Sequence, residues 1–462
     1  MLYQQDERNT VEAYLQESLS LSEEDISTKE LLARALQGAD AITREIQFRD
    51  FRSSGSLDVV AHAAAKCPTL EKVSFCGCVL ESTTPIAHII RSNPCVTDVS
   101  ITYCTVSEDG YTEIALALEF LEDPLQSITV STVEALLSLL HIKSRKFTFC
   151  YNNIYPCNYI DEYEMSCIVE IIKDNHAIQN LVFQKCELEK KAYQKLARLF
   201  LESKTLKTFE LEDQNSTSSE GIKILTSALA SNSTLECATM EVTLDEKVMG
   251  HFAEMLKINK TIRHLEVKGT GHDLSRGYCK IELDSLSQVL QHQNTSLTAL
   301  TLRDMHLSRR HFKAIAKFLR ANPPLQSLTL ENANVGNSSV KLLAEGLKRN
   351  SNLLSLALPR NRISSIGISA LTQSLKVNTG LTKLDVGHCI CRSGIEIFLM
   401  KNGMVFNVAL NDLICDEFPD RNLRAFMKRK RRRTMGGYEH GGGGGAGGRV
   451  STMWSPDMVY MG

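Results

Sequence analysis

The strongest constraint on this chain is that it repeats itself. Segments of the form L-x-x-L-x-L-x-x-N/C-x-L recur over most of its 462 residues. Near the front, Leu70, Val73, Phe75, Cys78 and Leu80 fit the form, followed by Val96, Val99, Ile101, Cys104 and Val106. Ile178, Leu181, Phe183, Cys186 and Leu188 repeat it, as do Leu297, Leu300, Leu302, Met305 and Leu307. Leu325, Leu328, Leu330, Ala333 and Val335 continue the series, then Leu353, Leu356, Leu358, Asn361 and Ile363, and finally Leu381, Leu384, Val386 and Cys389. From Cys186 the ninth position advances by 28, 29, 27, 35, 28, 28 and 28 residues. A unit of that length cannot bury its apolar side alone, so the chain folds only by stacking units.

Weaker units fill the gaps, with ninth-position pivots at Phe51, Val133, Asn152, Gln214, Thr243, Thr270 and Asn411. About fourteen units over residues 41–418 are expected. Positions four and six, two apart, point inward from a short strand. After the strand the chain turns, and the pivot side chain lies beneath the turn. Asparagine there satisfies main-chain groups that the turn leaves unpaired, and cysteine fits the same slot as a small, buriable, weak donor. Cys78, Cys104, Cys186 and Cys389 are therefore read as structural. Cys76–Cys78 and Cys389–Cys391 lack the paired C-x-x-C spacing of a zinc site, so no metal or cofactor is expected. The second half of each unit carries a helical stripe, as in Phe312, Ile315, Leu319, in Ile222, Leu225, Leu229, and in Ile368, Leu371, Leu375.

A unit of this length and pattern resembles the ribonuclease-inhibitor-like leucine-rich repeats, a type shared with Ran GTPase-activating proteins and cytosolic innate-immune receptors. The resemblance covers about four fifths of the chain. It implies an α/β leucine-rich-repeat solenoid, a horseshoe with parallel strands on the concave face and helices on the convex face. It further implies a non-catalytic protein-binding scaffold, or alternatively a GTPase-activating or regulatory protein. The Ran-type proteins follow their repeats with a long acidic stretch, whereas a basic run stands here. Immune receptors carry a nucleotide-binding domain, and no G-x-x-x-x-G-K-[ST] loop occurs. No nucleophile elbow or recognisable acid–base pair is present either, so no catalytic residue is expected.

Residues 1–40 read as an N-terminal helical cap, with Ser22 to Asp25 starting a helix that runs through Leu31, Leu32 and Leu36. Three spacings break the rule. Only 19 residues separate Val133 and Asn152, so a helix there is cut short or lost. Extra residues between Asn152 and Cys186 crowd Tyr151, Tyr155, Tyr159 and Tyr163 into one insertion, and a second insertion precedes Met305. Insertions in a solenoid leave as loops, and exposed tyrosines suit partner contact, which makes Tyr151 and Tyr155 candidates. Residues 419–434 form a basic segment with Lys428, Arg429, Lys430, Arg431, Arg432 and Arg433, which suits nuclear import or an electrostatic contact. Residues 435–462 read as a disordered Gly-rich tail.

Charge narrows the partners. From Arg421 onward nine basic residues face two acidic ones, +7, which leaves −9 on residues 1–420 within a total of −2. An acidic body disfavours nucleic acid except through the basic tail. Residues 1–8 lack a secretory pattern, no apolar run is long enough to span a bilayer, and the 14 cysteines read as free thiols. A cytoplasmic or nuclear protein without membrane insertion is expected. The outward fifth-position column reads Ser74, Ser100, Thr129, Thr148, Val182, Glu210, Thr239, Glu266, Thr301, Thr329, Ala357 and Asp385. Within it, Glu210, Glu212, Asp213, Glu241 and Glu266 gather into one acidic patch, complementary to a basic segment of a protein partner. His264 and His388 are further contact candidates.

Overall fold

The computed structural model describes residues 43–387, apart from 53–56, 59–60, 63, 108, 122, 151–158, 213–218, 245–246 and 271–282, together with 18–22 and 412–414. The chain divides into two units between Glu417 and Phe418. The description below concerns the first; the basic run, the Gly-rich tail, Asp213, Tyr151, Tyr155, His388 and the pivots Asn152, Gln214, Cys389 and Asn411 lie outside the described residues.

The strands, in chain order, begin with β1 (Ser18–Ser22), β2 (Glu45–Arg49), β3 (Lys72–Cys76), β4 (Val79–Leu80), β5 (Asp98–Thr102), β6 (Thr105–Val106) and β7 (Leu125–Val130). They continue with β8 (Ser144–Cys150), β9 (Tyr159–Ile160), β10 (Asn180–Gln184), β11 (Glu187–Leu188), β12 (Thr208–Glu212) and β13 (Cys237–Val242). The last are β14 (His264–Gly269), β15 (Ala299–Arg303), β16 (Ser327–Glu331), β17 (Ser355–Ala357), β18 (Lys383–Asp385) and β19 (Asp412–Ile414). Fifteen of them make one parallel sheet in unbroken chain order, while β4 pairs with β6 and β9 with β11 on the turns beyond it.

Helices alternate with these strands: α1 (Thr84–Ser92), α2 (Gly110–Leu118), α3 (Val133–Leu139), α4 (Glu162–Asp174), α5 (Lys190–Glu202) and α6 (Ser219–Ser231). After them come α7 (Val248–Ile258), α8 (Asp284–His292), α9 (Arg309–Arg320), α10 (Asn337–Leu347) and α11 (Ser365–Leu375). Each packs against the next, so they form one layer on one side of the sheet. The result is the expected α/β leucine-rich-repeat solenoid.

The alternation of the motif is what separates the two faces. In β15, Leu300 and Leu302 are buried while Ala299, Thr301 and Arg303 stay partly open, and β16 repeats the pattern. The helical stripes close the core from the other side, with Phe312, Ile222 and Ile368 fully buried. Each such side chain contributes about 1.5–3 kcal/mol. Aromatic rings thread the front half: Phe48 stacks on Phe75 at 4.8 Å, and Phe183 meets Phe149 and Phe209 edge-on at 6.4 Å each.

Two ladders of side-chain hydrogen bonds set the register. One is the pivot ladder. Asn361 accepts from the Ala333 and Val335 amides, both at 3.0 Å, and donates to the carbonyls of Leu330 (2.7 Å), Leu358 (3.0 Å) and Pro359 (2.9 Å). The cysteines do less of the same work: the Cys186 thiol donates to Gln184 and Phe149, Cys78 to Cys76 and Phe48, and Cys104 to Thr102. The residue before the pivot turns the chain through left-handed backbone, at Asp50, Gly77, Tyr103, Lys185, Asp304, Asn332 and Arg360. Glycine, asparagine and aspartate adopt it cheaply; Tyr103, Lys185 and Arg360 do so against their preference.

The second ladder lies where each helix ends. Asn232, Asn259, Asn294, Asn350 and Asn378 donate to a carbonyl at the end of the preceding helix, at 2.5–2.8 Å. Each also accepts from the amide three residues on, at Leu235, Ile262, Leu297, Leu353 and Leu381. One side chain thus ends a helix, starts the next strand and joins neighbouring units.

Three local readings of the sequence change. Val133 is no pivot: it begins α3, whose N-cap Thr132 accepts from Ala135. The short unit loses its turn and keeps a shortened helix, because a turn can vanish without uncovering the core. The last strand places Leu413 opposite Leu384, a frame in which Asn411 is not the pivot. The chain also fits the motif as Leu410, Leu413 and Cys415, and that frame keeps a full unit length. Finally, β1 lies inside the segment expected as a cap, with Leu21 opposite Phe48.

Candidate functional site

The open face of the sheet is built of columns, one residue per unit. The fifth-position column runs in register from Ser74 through Ser100, Thr129, Thr148, Val182, Glu210, Thr239, Glu266, Thr301 and Thr329 to Ala357 and Asp385. Most of its side chains are partly exposed; Thr148 and Val182 are buried. Small hydroxyls make a level wall on which a few charges stand out.

The structure sorts the expected acidic patch into two kinds. Glu241 is nearly buried, and its carboxylate holds the Lys268 ammonium at 3.1 Å across β13 and β14. Glu266 meets Arg303 at 3.4 Å. The same guanidinium reaches Glu331 at 2.9 Å, and Arg360 approaches Glu331 at 3.4 Å. These charges neutralise one another along the seventh-position column of Glu241, Lys268, Arg303 and Glu331, joined by Glu266 from the fifth position and Arg360 from the eighth. Lys268, Arg303, Glu331 and Arg360 were not singled out from the sequence, since the cation sits a whole repeat away from its carboxylate.

Glu210 and Glu212 differ. Both stand on β12, two apart and on the same face, and neither forms an ion pair with another described residue. Burial lifts the Glu210 carboxyl above its ordinary range, with the Glu212 and Glu266 charges adding to the rise while Lys146 and Lys268 oppose it. Glu266 is two strands away with Thr239 between, about 10 Å by strand spacing. Lys268, despite partial burial, is raised by its hydrogen bond to Glu241 and by the Glu212 and Asp304 charges. Among the described residues this leaves a carboxylate pair without an ion-pair partner beside a self-neutralised band.

Two further contacts border this region. In register across β12, β13 and β14, Thr208, Cys237 and His264 form a row, with the Cys237 thiol 3.3 Å from His264 Nδ1. Nearer the front, the Tyr103 hydroxyl lies 3.3 Å from the Cys150 thiol, and Lys185 Nζ sits over the Tyr103 ring at 5.9 Å. Burial and the Cys150 contact push the Tyr103 phenol well above its usual range. Of the tyrosine insertion, Tyr163 on α4 is 74% exposed. Among the described residues no group of three His, Cys, Asp or Glu could hold a metal ion, and no helix is long and apolar enough to cross a membrane.

No family model and no curated protein matches this chain. Among solved structures, the actin-binding site 2 of leiomodin-1 is similar at 20% identity and a TM-score of 0.30, over 34% of this chain and 90% of that one. TLR13, in a complex with ssRNA13, is similar at 15% identity and a TM-score of 0.43, over 86% of this chain. The chain spans about half of TLR13, 49% of its length. These likenesses carry no function across.

Proposed function

We propose that the solenoid is a non-catalytic protein-interaction scaffold of the ribonuclease-inhibitor-like repeat type, binding a basic segment of a protein partner on the open face of its sheet. The observation that carries this reading is the contrast within one patch: Glu241 and Glu266 are ion-paired, while Glu210 and Glu212 have no ion-pair partner among the described residues and only the more distant charges of Lys146 and Lys268 near them. A half-buried carboxylate without a counter-ion is costly to ionise, and a partner cation would relieve that cost. The small side chains along most of the fifth-position column would leave room for an extended segment, and the paired charges from Glu241 to Arg360 would align its remainder.

The test is capture of partners by wild type and by the Glu210→Lys/Glu212→Lys double variant, at low and high salt. The double variant should bind at least about tenfold more weakly at low salt, roughly 1.4 kcal/mol, with the gap closing as salt screens the charges. A folded double variant that captures the same proteins equally well at both salt levels would remove the patch from consideration and move the search to the tyrosine insertion.

A further inference from the structure

Two of the pivot cysteines stand side by side on neighbouring turns. Val79 and Leu80 of β4 pair in parallel register with Thr105 and Val106 of β6, so Cys78 and Cys104, the residues just before them, stand opposite each other on neighbouring turns. The Thr105 amide donates to the Cys78 carbonyl at 3.0 Å and fixes that alignment. Neighbouring strands lie about 4.8 Å apart, within the roughly 4.4–6.8 Å of Cα separation that a disulfide spans. Both side chains are buried. Cys76, two residues earlier, is on the other side of its strand, in register with Thr102, and is only partly buried.

We propose that Cys78 and Cys104 are a redox-modification site, closing to a reversible disulfide when the protein meets hydrogen peroxide. The Cys78 thiolate attacks one peroxide oxygen; the O–O bond breaks, hydroxide leaves and takes a proton to become water, and Cys78 is left as a sulfenic acid. The Cys104 sulfur then attacks the Cys78 sulfur, the S–O bond breaks, and a second water leaves with the Cys104 proton. Two thiols and one peroxide become one disulfide and two waters.

The order of attack follows from the contacts. The Cys104 side chain beside it outweighs burial and holds the Cys78 thiol below its usual range. Its contact with Cys78, and then burial, push Cys104 well above. In this scheme Cys78 attacks first and Cys104 resolves. Closure has a structural cost. The reduced thiols donate to the carbonyls of Phe48, Cys76 and Thr102, at 3.4–3.6 Å. A disulfide has no S–H, so these turns lose their side-chain donors while gaining a covalent tie. The pivot slot that holds the front units together would thereby report oxidant.

The full chain is reduced, exposed to graded hydrogen peroxide, capped with N-ethylmaleimide and digested without reductant for mass spectrometry. A Cys78–Cys104 linked peptide pair is expected, two hydrogens lighter than the free peptides and released by dithiothreitol. It should form at oxidant levels that leave Cys186 free. In Cys104→Ser, which keeps a small polar pivot, dimedone should trap several-fold more sulfenic acid on Cys78 than in wild type. Recovery of both cysteines as free thiols from oxidised wild type, or linkage of Cys78 to Cys76 instead, would overturn the proposal even if the serine variant failed to fold. Partner capture does not enter this readout, so the site stands or falls apart from the acidic patch.

Discussion

Replacing Asn361 with leucine tests whether the pivot ladder holds the units together. Leucine keeps the branched outline of the side chain, though it is bulkier, and removes every polar contact of a residue that is 4% exposed. The Ala333 and Val335 amides would lose their acceptor and the Leu330 carbonyl its donor. At about 1–3 kcal/mol for each buried group left unpaired, the three sum to roughly 3–9 kcal/mol, and opening of the turn to water should hold the loss near 3. Because units couple only to their neighbours, the loss should be local. Hydrogen exchange should accelerate first at residues 333–335 and along 361–375, with β10 to β12 little changed. Asn361→Asp sharpens the test. It keeps an oxygen for the two amides but sets a carboxylate against the carbonyls of Leu330, Leu358 and Pro359. That environment raises the folded-state carboxyl, so stability should fall as pH rises through the carboxylate range and partly return on acidification. A loss below about 1 kcal/mol, or faster exchange spread evenly over all units, would refute the account.

Two other outcomes follow from the site and the thiols. Burial and neighbouring carboxylates raise Glu210, so its ionisation opposes folding: stability is greatest while the group is protonated and falls as pH rises from the unfolded to the higher folded value. Glu210→Gln should therefore raise the melting temperature at pH 7, with the gain vanishing below the carboxylate range; a gain that persisted in acid would mean the charge is not its source. In native protein under reducing conditions a maleimide should label exposed Cys95 rapidly and leave buried Cys186 unlabelled until denaturation. Equal labelling rates would contradict the pivot assignment.

Much of the fold is written in the chain because each unit has to repeat the same inward and outward choices. The fifth-position column, from Ser74 to Asp385, could be read before any coordinate, since a period of two fixes which side chains face out. The helix-end ladder was equally present, as an asparagine three residues before the leading apolar position at Asn232, Asn259, Asn294, Asn350 and Asn378. It passed unread because the apolar period draws attention to the strand that follows. Frame was harder at the ends. Leu413 and Leu21 lie in segments where two alternations fit, and only pairing with the next strand chooses between them. The patch was legible as charge but not as free charge. Whether Glu241 is available depends on Lys268 reaching across one strand, and the intervening turn and helix separate the two in sequence.

The shortened unit at α3 has a mechanical consequence. Helix α1 ends on Asn93 and α4 on Asn175, but α2 and α3 end on Glu119 and Leu140, which cannot supply that two-way clasp. Asn175 still fastens backward, onto the Leu140 and Ile142 carbonyls. Between Asn93 and Asn175, then, two successive rungs of the helix-end ladder are missing, and the stack there relies on its sheet and its apolar layer. Drawn apart along its length, such a chain has a built-in tear line: the units up to α1 and those from α3 onward would behave as two blocks, each parting from the other before either comes undone.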